Sequence, residues 1–403
     1  MNWFQFARLI RSIYGRQKSL PDLDWIQRLG LLAVKLGQVH ALRIDFLDRE
    51  KCQHLAKLYR SNAVLAPADF LKLLSAVAPP FFISRFQRIE KNALASASVG
   101  QVHRAWLADG SPVVIKAIKR DVRRQFIADV ASLRNLFRLA AVLYPPLRRV
   151  GDPVAILGDI EEYTLSELDL RREVAGQKVL RDLFAQHQKQ FDLSSLRFAH
   201  VYENLCSEHV MVSEFVAGKT FDELIAAGEL PYAQLIELFR IHGYFMFCLG
   251  TFHGDLHPGN VILADGKICF VDTGYIGHVG DKIRRGLFEF FSALSKFDYP
   301  RTASGLNRMS EVELSGPAFA DFERKFLELY ADFTDATVAQ MSLTKKMMQT
   351  IKLGVLCGMR FEKGIFAIIR SLMYMDGMVL RCRPDAVLMR DLRPFIAAAE
   401  KMV

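Results

Sequence analysis

The segment His253-Gly254-Asp255-Leu256-His257-Pro258-Gly259-Asn260 is followed by Val261-Ile262-Leu263 and then by Phe270-Val271-Asp272-Thr273-Gly274. An Asp, an Asn five positions later, two short strands and an Asp-x-Gly form the order in which phosphoryl-transfer sites build a catalytic loop and a metal loop. Mg²⁺ carried on nucleotide phosphates takes hard oxygen ligands, and the Asp272 carboxylate with the Asn260 amide oxygen can supply two of them from adjacent loops. Asp255, placed beside a transferring phosphoryl group, could orient or deprotonate a nucleophile. The same residue types also make plain hydrogen-bonded turns. The Asp272-Thr273-Gly274 partner, at the required distance, argues for the site. His253 and His257 read as histidines that orient the loop rather than as metal ligands.

Upstream, Val113-Val114-Ile115-Lys116 reads as a strand that presents one lysine, in the manner of the phosphate-binding lysine of kinases. It gains weight from Leu94-Ala95-Ser96-Ala97-Ser98-Val99-Gly100-Gln101-Val102-His103 just before it, where small side chains let a backbone loop cover phosphates. The run Glu167-Leu168-Asp169-Leu170-Arg171-Arg172-Glu173, read as helix, offers an acidic partner for Lys116. Asp169 and Glu173 lie four apart on one face, whereas Glu167 points elsewhere. Taken alone, this run is also what a solvated charged face looks like. Lys35-Leu36-Gly37-Gln38, within LGLLAVKLGQVHALRIDF, is by its spacing only a lysine and a glycine inside a helical pattern.

These residues need elements to carry them. The apolar runs VGQVHRAWL and PVVIKAIK, joined by the turn-forming Ala108-Asp109-Gly110-Ser111, predict a hairpin between about Ile89 and Lys119. A charged, leucine-rich helical region follows, broken near Tyr144-Pro145-Pro146 and resuming from about Val154 to Gln190. LRFAHVY and EHVMVSEFV are two further strands expected to complete a small sheet carrying long helices. From Phe221 onward the pattern is predominantly helical. Before the hairpin, residues 22–78 read as a helical extension ending at Pro79-Pro80. At the N-terminus, Trp3, Phe6, Ile10, Ile13 and Tyr14 fall at helical spacing, with Arg8, Arg11, Arg16 and Lys18 mostly off that stripe. Such a helix suits either a membrane interface or packing on its own domain.

The 403 residues, 51% hydrophobic and 24% charged, describe a globular chain of about two to three domain-sized units rather than a disordered one. Fifty-three Lys and Arg against 44 Asp and Glu give a formal charge of +9, which favours acidic partners such as nucleotides, anionic lipid headgroups or nucleic acid, without choosing among them. No basic stripe with interleaved aromatics occurs beyond the N-terminal helix, so no nucleic-acid partner is expected. Cys52, Cys206, Cys248, Cys269, Cys357 and Cys382 form no Cys-x-x-Cys pair, which speaks against a zinc site or a disulfide framework and fits a reducing compartment. No run approaches the ~20 apolar residues that cross a bilayer.

Together the motifs resemble the UbiB/AarF family of atypical kinase-like proteins, in the right order over about residues 25 to 385. Its Lys-x-Gly-Gln motif is matched by Lys35, Gly37 and Gln38, and its alanine-rich nucleotide loop by Ala95 to Ser98. Its Glu-x-Asp motif is matched by Glu167 and Asp169, and its catalytic and metal loops by Asp255, Asn260 and Asp272. The resemblance implies an α+β, two-lobed protein-kinase-like fold: a helical extension over residues 1–80, an N-lobe over 81–216 and a helical C-lobe over 217–403. It further implies that Lys35 pairs with Glu167 and Asp169 to restrict protein substrates and that Gln38 belongs to the same catalytic set, while Glu173 stays the acidic partner that the charged run offers Lys116. Glu214-Phe215-Val216 would form the adenine hinge, beside a nucleotide loop of Ala95, Ser96, Ala97, Ser98 and Val99. The implied ligands are ATP or ADP with Mg²⁺, or Mn²⁺ in its place. The implied role is ATP hydrolysis in ubiquinone or isoprenoid-lipid biosynthesis, with quinone or isoprenoid intermediates, an anionic membrane surface and quinone-biosynthesis proteins as partners. The expected location is cytoplasmic, peripheral at the inner face of a membrane.

Two departures stand out: the loop reads Ala-Ser-Ala-Ser where Ala-Ala-Ala-Ser is typical, and the sequence ends at Val403 without the C-terminal transmembrane hairpin of many bacterial members. Membrane contact is then expected from the N-terminal helix, another amphipathic surface or a partner. Two alternatives remain. His253 to Asn260 also resembles the catalytic loop of aminoglycoside and choline kinases, small-molecule phosphotransferases that lack Lys35-Leu36-Gly37-Gln38 with Glu167 and Asp169. The other is a non-enzymatic, nucleotide-gated lipid-binding protein, in which turnover is incidental.

Overall fold

The computed structural model describes residues 3–15, 20–41, 47, 49–59, 64–96, 99–143, 153–362 and 364–402. They form two compact units, Met1–Ala175 with Ala199–Phe215, and Gly176–Phe198 with Val216–Val403. Residues 1–80, expected as a helical extension, fall within the first unit, and residues 176–198, expected in the N-lobe, fall within the second. Arg16, Lys18, Ala97, Ser98 and the Tyr144-Pro145-Pro146 break lie outside the described residues.

In the first unit, the Trp3–Tyr14 helix turns Phe6, Leu9 and Ile13 inward at helical spacing. They share a core with Leu32, Ala33 and Leu36 of the Leu31–Ala41 helix, with Phe126 and Val130 of Arg120–Leu143, and with Leu157 and Ile160 of Pro153–Glu167. Of the two readings for the N-terminal stripe, packing on its own domain accounts for these residues, while Trp3 and Phe4 stay 50% and 81% exposed. The Leu31–Ala41 helix is buried from Leu32 through Gln38, so it is central to this core, and Lys35 needs a partner inside it.

The expected hairpin is present. Gly100–Leu107 pairs antiparallel with Pro112–Ile118, which pairs with Val210–Glu214; Phe86–Ile89 and Ala95–Ser96 flank the first of these. Alternation places Val113, Ile115 and Ala117 against Phe70, Leu74, Val210 and Val212. Lys116, one residue out of step, therefore emerges on the opposite face.

Two expectations are corrected. The helix foreseen from Val154 to Gln190 is two helices, Pro153–Glu167 and Leu170–His187. Asp169 ends the first run because its carboxylate accepts from the Arg171 backbone N–H at 3.1 Å, a local bond that competes with continued helix and starts the next one. LRFAHVY does not complete the first sheet either. Leu196–Phe198 pairs in parallel with Lys267–Phe270 in the second unit, and Val201 alone bridges to Ser213.

The second unit has a four-stranded sheet in the order Leu196–Phe198, Lys267–Phe270, Val261–Ala264, Lys219–Thr220, and a ribbon of Thr251–His253 with Ile276–His278. Its helices include Phe221–Ala227, Tyr232–Gly243 running into a π-helical turn Tyr244–Leu249, Asp281–Ser295, Leu343–Leu356 and Ile365–Cys382. Phe245, Phe252, Phe270, Phe290, Phe322 and Phe326 anchor its core. Among the described residues no helix is long and apolar enough to cross a membrane.

Candidate active site

The second unit builds its loop from backbone hydrogen bonds. His253 is fully buried; its Nε2 donates to the Val271 carbonyl at 3.0 Å, and its Nδ1 accepts from the Asp255 N–H at 3.2 Å. Burial pushes its pKa below 6.5, so the ring stays neutral and both bonds keep their direction. One imidazole thus ties the residue before Asp272 to Asp255. His257 Nδ1 accepts from the Gly259 N–H at 3.0 Å and starts the Pro258–Asn260 turn. Asn260 then donates its Nδ2 to the Asp255 carbonyl at 3.0 Å, while its own carbonyl accepts from the Val271 N–H at 3.0 Å.

Asp272 itself has φ +54°, a left-handed conformation uncommon for a residue with a side chain and better tolerated by Asp than by most. Thr273 next to it packs so tightly on the Leu170–His187 helix that a Cβ on Gly176 would stand 2.1 Å from the Thr273 carbonyl oxygen. Only glycine fits there. The donor set suits a hard cation: with Nδ2 engaged, Asn260 offers Oδ1, and Asp272 offers a carboxylate. No cluster of three or more His, Cys, Asp or Glu side chains that could hold a metal occurs among the described residues.

The first unit holds cations. Lys116 Nζ lies 2.7 Å from Glu173 Oε2, with side chains 15% and 9% exposed. Lys35 Nζ donates to Glu167 Oε1 at 2.6 Å and sits 5.0 Å from the centre of the Tyr163 ring. Gly37 leaves room for Leu58, whose Cδ1 a Cβ would meet at 2.5 Å, and Gln38 Nε2 donates to the Leu58 carbonyl at 3.0 Å. Gln38, expected among the catalytic residues, is thus buried with its amide on a backbone group of the helical core.

Asp169 is a correction. It does not reach Lys35 but pairs with Arg171, whose Nη2 is 2.7 Å from its Oδ2 and which holds its carboxyl below the usual range. Nor do Asp169 and Glu173 share a face of one helix, because the chain breaks between Glu167 and Leu170. Glu167, which the family resemblance also named as a partner of Lys35, is the residue that meets it.

Ala95 and Ser96 pair with Val102 and Gln101, and Val99 is buried with the helical core, its carbonyl accepting from the Lys119 N–H at 3.2 Å. Ala97 and Ser98 of the same expected loop are outside the described residues. Glu214 ends its strand and accepts from the His200 N–H at 3.0 Å, and Val216 is buried in the second unit. Tyr163 was not foreseen. Its signal was present, since it lies four residues before Glu167 on one helix face.

The ABC1 atypical kinase-like domain matches residues 80–306 of the chain. A protein of Erwinia tasmaniensis named Probable protein kinase UbiB is 26% identical over 382 residues, covering 92% of this chain and 68% of its own length. One of the same name from Vibrio cholerae is 27% identical over the same shares. Among solved structures, Rv3197 of Mycobacterium tuberculosis, determined in complex with erythromycin, is similar with a TM-score of 0.57 and 19% identity over 93% of both chains. The fold is accordingly the α+β, two-lobed protein-kinase-like fold.

Proposed function

This chain belongs to the ABC1 atypical kinase-like family, and on that premise we propose that it binds ATP or ADP with Mg²⁺, hydrolyses ATP, and serves ubiquinone or other isoprenoid-lipid biosynthesis. The observation that carries this reading is the set of backbone bonds that orders Asp255, Asn260 and Asp272 in one short stretch of the second unit. When bound, Mg²⁺ supplies charge neutralisation at the phosphates. Asp272 and the Asn260 amide oxygen are its protein ligands in this reading. Asp255 orients the attacking water and takes up its proton, and Lys116, held by Glu173, binds phosphate. The Lys35–Glu167 pair with Tyr163 supports the family type over an aminoglycoside- or choline-kinase type, which has no such motif.

Lipid or quinone intermediates, an anionic membrane surface and quinone-biosynthesis proteins are the partners this reading assigns, with the protein peripheral at the inner face of a membrane. The net charge of +9 favours such a surface. The test is ATP turnover by the purified chain with and without Mg²⁺ and anionic vesicles, beside thermal shift with Mg·ATP and Mg·ADP. Mg²⁺-dependent turnover that rises with vesicles and is lost in Asp255→Asn is expected. Absence of any thermal shift with either nucleotide overturns the reading, and an unchanged quinone pool in a deletion strain overturns the pathway.

A further inference from the structure

The Ile365–Cys382 helix lies beyond the residues matched by the family domain, yet it reaches the segment that carries Asp255. Arg370 Nε and Nη2 both donate to the carbonyl oxygen of Gly254, at 3.0 and 2.8 Å. The guanidinium carbon lies 4.6 Å from the centre of the Tyr275 ring, and the Tyr275 carbonyl accepts from the Gly254 N–H at 2.9 Å. Ser371, the next residue and fully buried, has its Oγ 3.4 Å from the His253 carbonyl.

The Gly254 carbonyl and the Asp255 N–H are the two ends of a single peptide unit. Its N–H is taken by His253 Nδ1 and its oxygen by the Arg370 fork, so the plane is held from both sides. Glycine does little to restrict its own dihedrals, so these bonds, together with the Tyr275 ring packed against Gly254, hold the plane. The orientation of that plane sets the direction in which the Asp255 side chain leaves the backbone. A planar fork with two donors restrains such a unit in a way one ammonium cannot.

We propose that Arg370 is a positioning residue for Asp255, fixing the Gly254–Asp255 peptide so that the carboxylate is held where the nucleophile binds. The inference rests on the reading of Asp255 as the group that orients that nucleophile. It assigns Arg370 an effect on turnover and none on nucleotide affinity.

The experiment compares the full chain with its Arg370→Met, Arg370→Lys and Asp255→Asn variants in Mg·ATP turnover and in thermal shift with Mg·ADP. Arg370→Met is expected to lower kcat about 10- to 100-fold, the scale of a misplaced reacting group. Its KM for ATP and its Mg·ADP shift should stay within about threefold of wild type, the mark of an interaction needed only in the transition state. Arg370→Lys, which keeps the charge and loses the fork, should fall between. Wild-type kcat in Arg370→Met overturns the proposal, and so does a parallel loss of kcat and nucleotide binding. If Arg370→Met does not fold, Arg370→Lys decides by the same kcat against KM criterion. Wild-type turnover in Asp255→Asn overturns the reading of Asp255 and this proposal with it. An inactive Asp255→Asn beside a fully active Arg370→Met overturns this proposal alone.

Discussion

In the first unit, Lys35 and Lys116 meet carboxylates 132 and 57 residues away in sequence, whereas in the second Asp255, Asn260 and Asp272 are ordered by backbone groups of their own neighbourhood. The lysines are buried cations whose partners arrive only when helices and sheet have packed. The loop of the second unit is shaped by His253, His257 and Asn260 through bonds spanning a few residues or one short hairpin. Charge in the first unit therefore depends on tertiary structure that places it, and a lost partner leaves an ion stranded out of water. In the second unit's loop His253 and Asn260 act as neutral, directional groups, so what the buried His253 must avoid is becoming charged.

The largest effect should come from stranding an ion in the first unit. Glu167→Ala leaves Lys35, whose side chain is 5% exposed, without its carboxylate and is expected to destabilise the protein by about 3 kcal/mol. Replacing both members, Lys35→Met with Glu167→Leu, should return stability to within about 1 kcal/mol of wild type, because the cost lies in the unpaired charge rather than in the missing pair. Urea unfolding of Lys35→Met, Glu167→Leu and the double gives the coupling. Additive losses would break the contrast between the units, since Lys35 would then be stable without its partner.

How much of this could be read in advance follows the same division. The Asp255, Asn260 and Asp272 set was legible because its residues and the strands between them are close in sequence, and the hairpin was legible from the alternation of Val113, Ile115 and Ala117. The partner of Lys35 was not deducible from spacing; it came from family resemblance, which named Asp169 as well as Glu167. Leu168 and Asp169 fit a helical pattern by themselves, so the break became visible only through the bond from Arg171 N–H to the Asp169 carboxylate. LRFAHVY reads as one strand although the chain passes from one unit to the other within it. Arg370 is 116 residues from Gly254, and no local pattern joins them.

Acid should act on the second unit through its neutral histidines. His242 is 1% exposed, neither ring nitrogen has a hydrogen-bond partner, and burial first, then the nearby His253, pushes its pKa from 6.5 down to about 3. Between those values the unfolded chain carries a proton that the folded chain refuses, so the unfolded state binds more protons and stability falls as pH is lowered. At pH 5 this group alone should remove about 2 kcal/mol relative to neutral pH. His242→Leu, which keeps an apolar side chain of similar bulk, should reduce the loss between pH 7 and pH 5 by about that amount. His253, also shifted down by burial, would maintain part of the slope in the variant. Identical pH dependence in both proteins would show that His242 is protonated in the folded state and that the second unit tolerates buried charge as the first does.

The smallest effect concerns Asp169. Its partner Arg171 is 62% exposed, and an ion pair with one member in solvent is screened and contributes little. Its carboxylate also accepts from the Arg171 N–H ahead of the Leu170–His187 helix, a capping role that an amide oxygen can fill. Asp169→Asn should therefore unfold within about 0.5 kcal/mol of wild type, whereas Asp169→Ala loses the cap and should cost about 1 kcal/mol. If Asp169→Asn instead matched the loss in Glu167→Ala, Asp169 would have to share Lys35, and the first unit would hold that lysine between two acids. An Asn variant that behaves as wild type beside a weakened Ala variant assigns Asp169 to helix capping and leaves Glu167 as the carboxylate that holds Lys35.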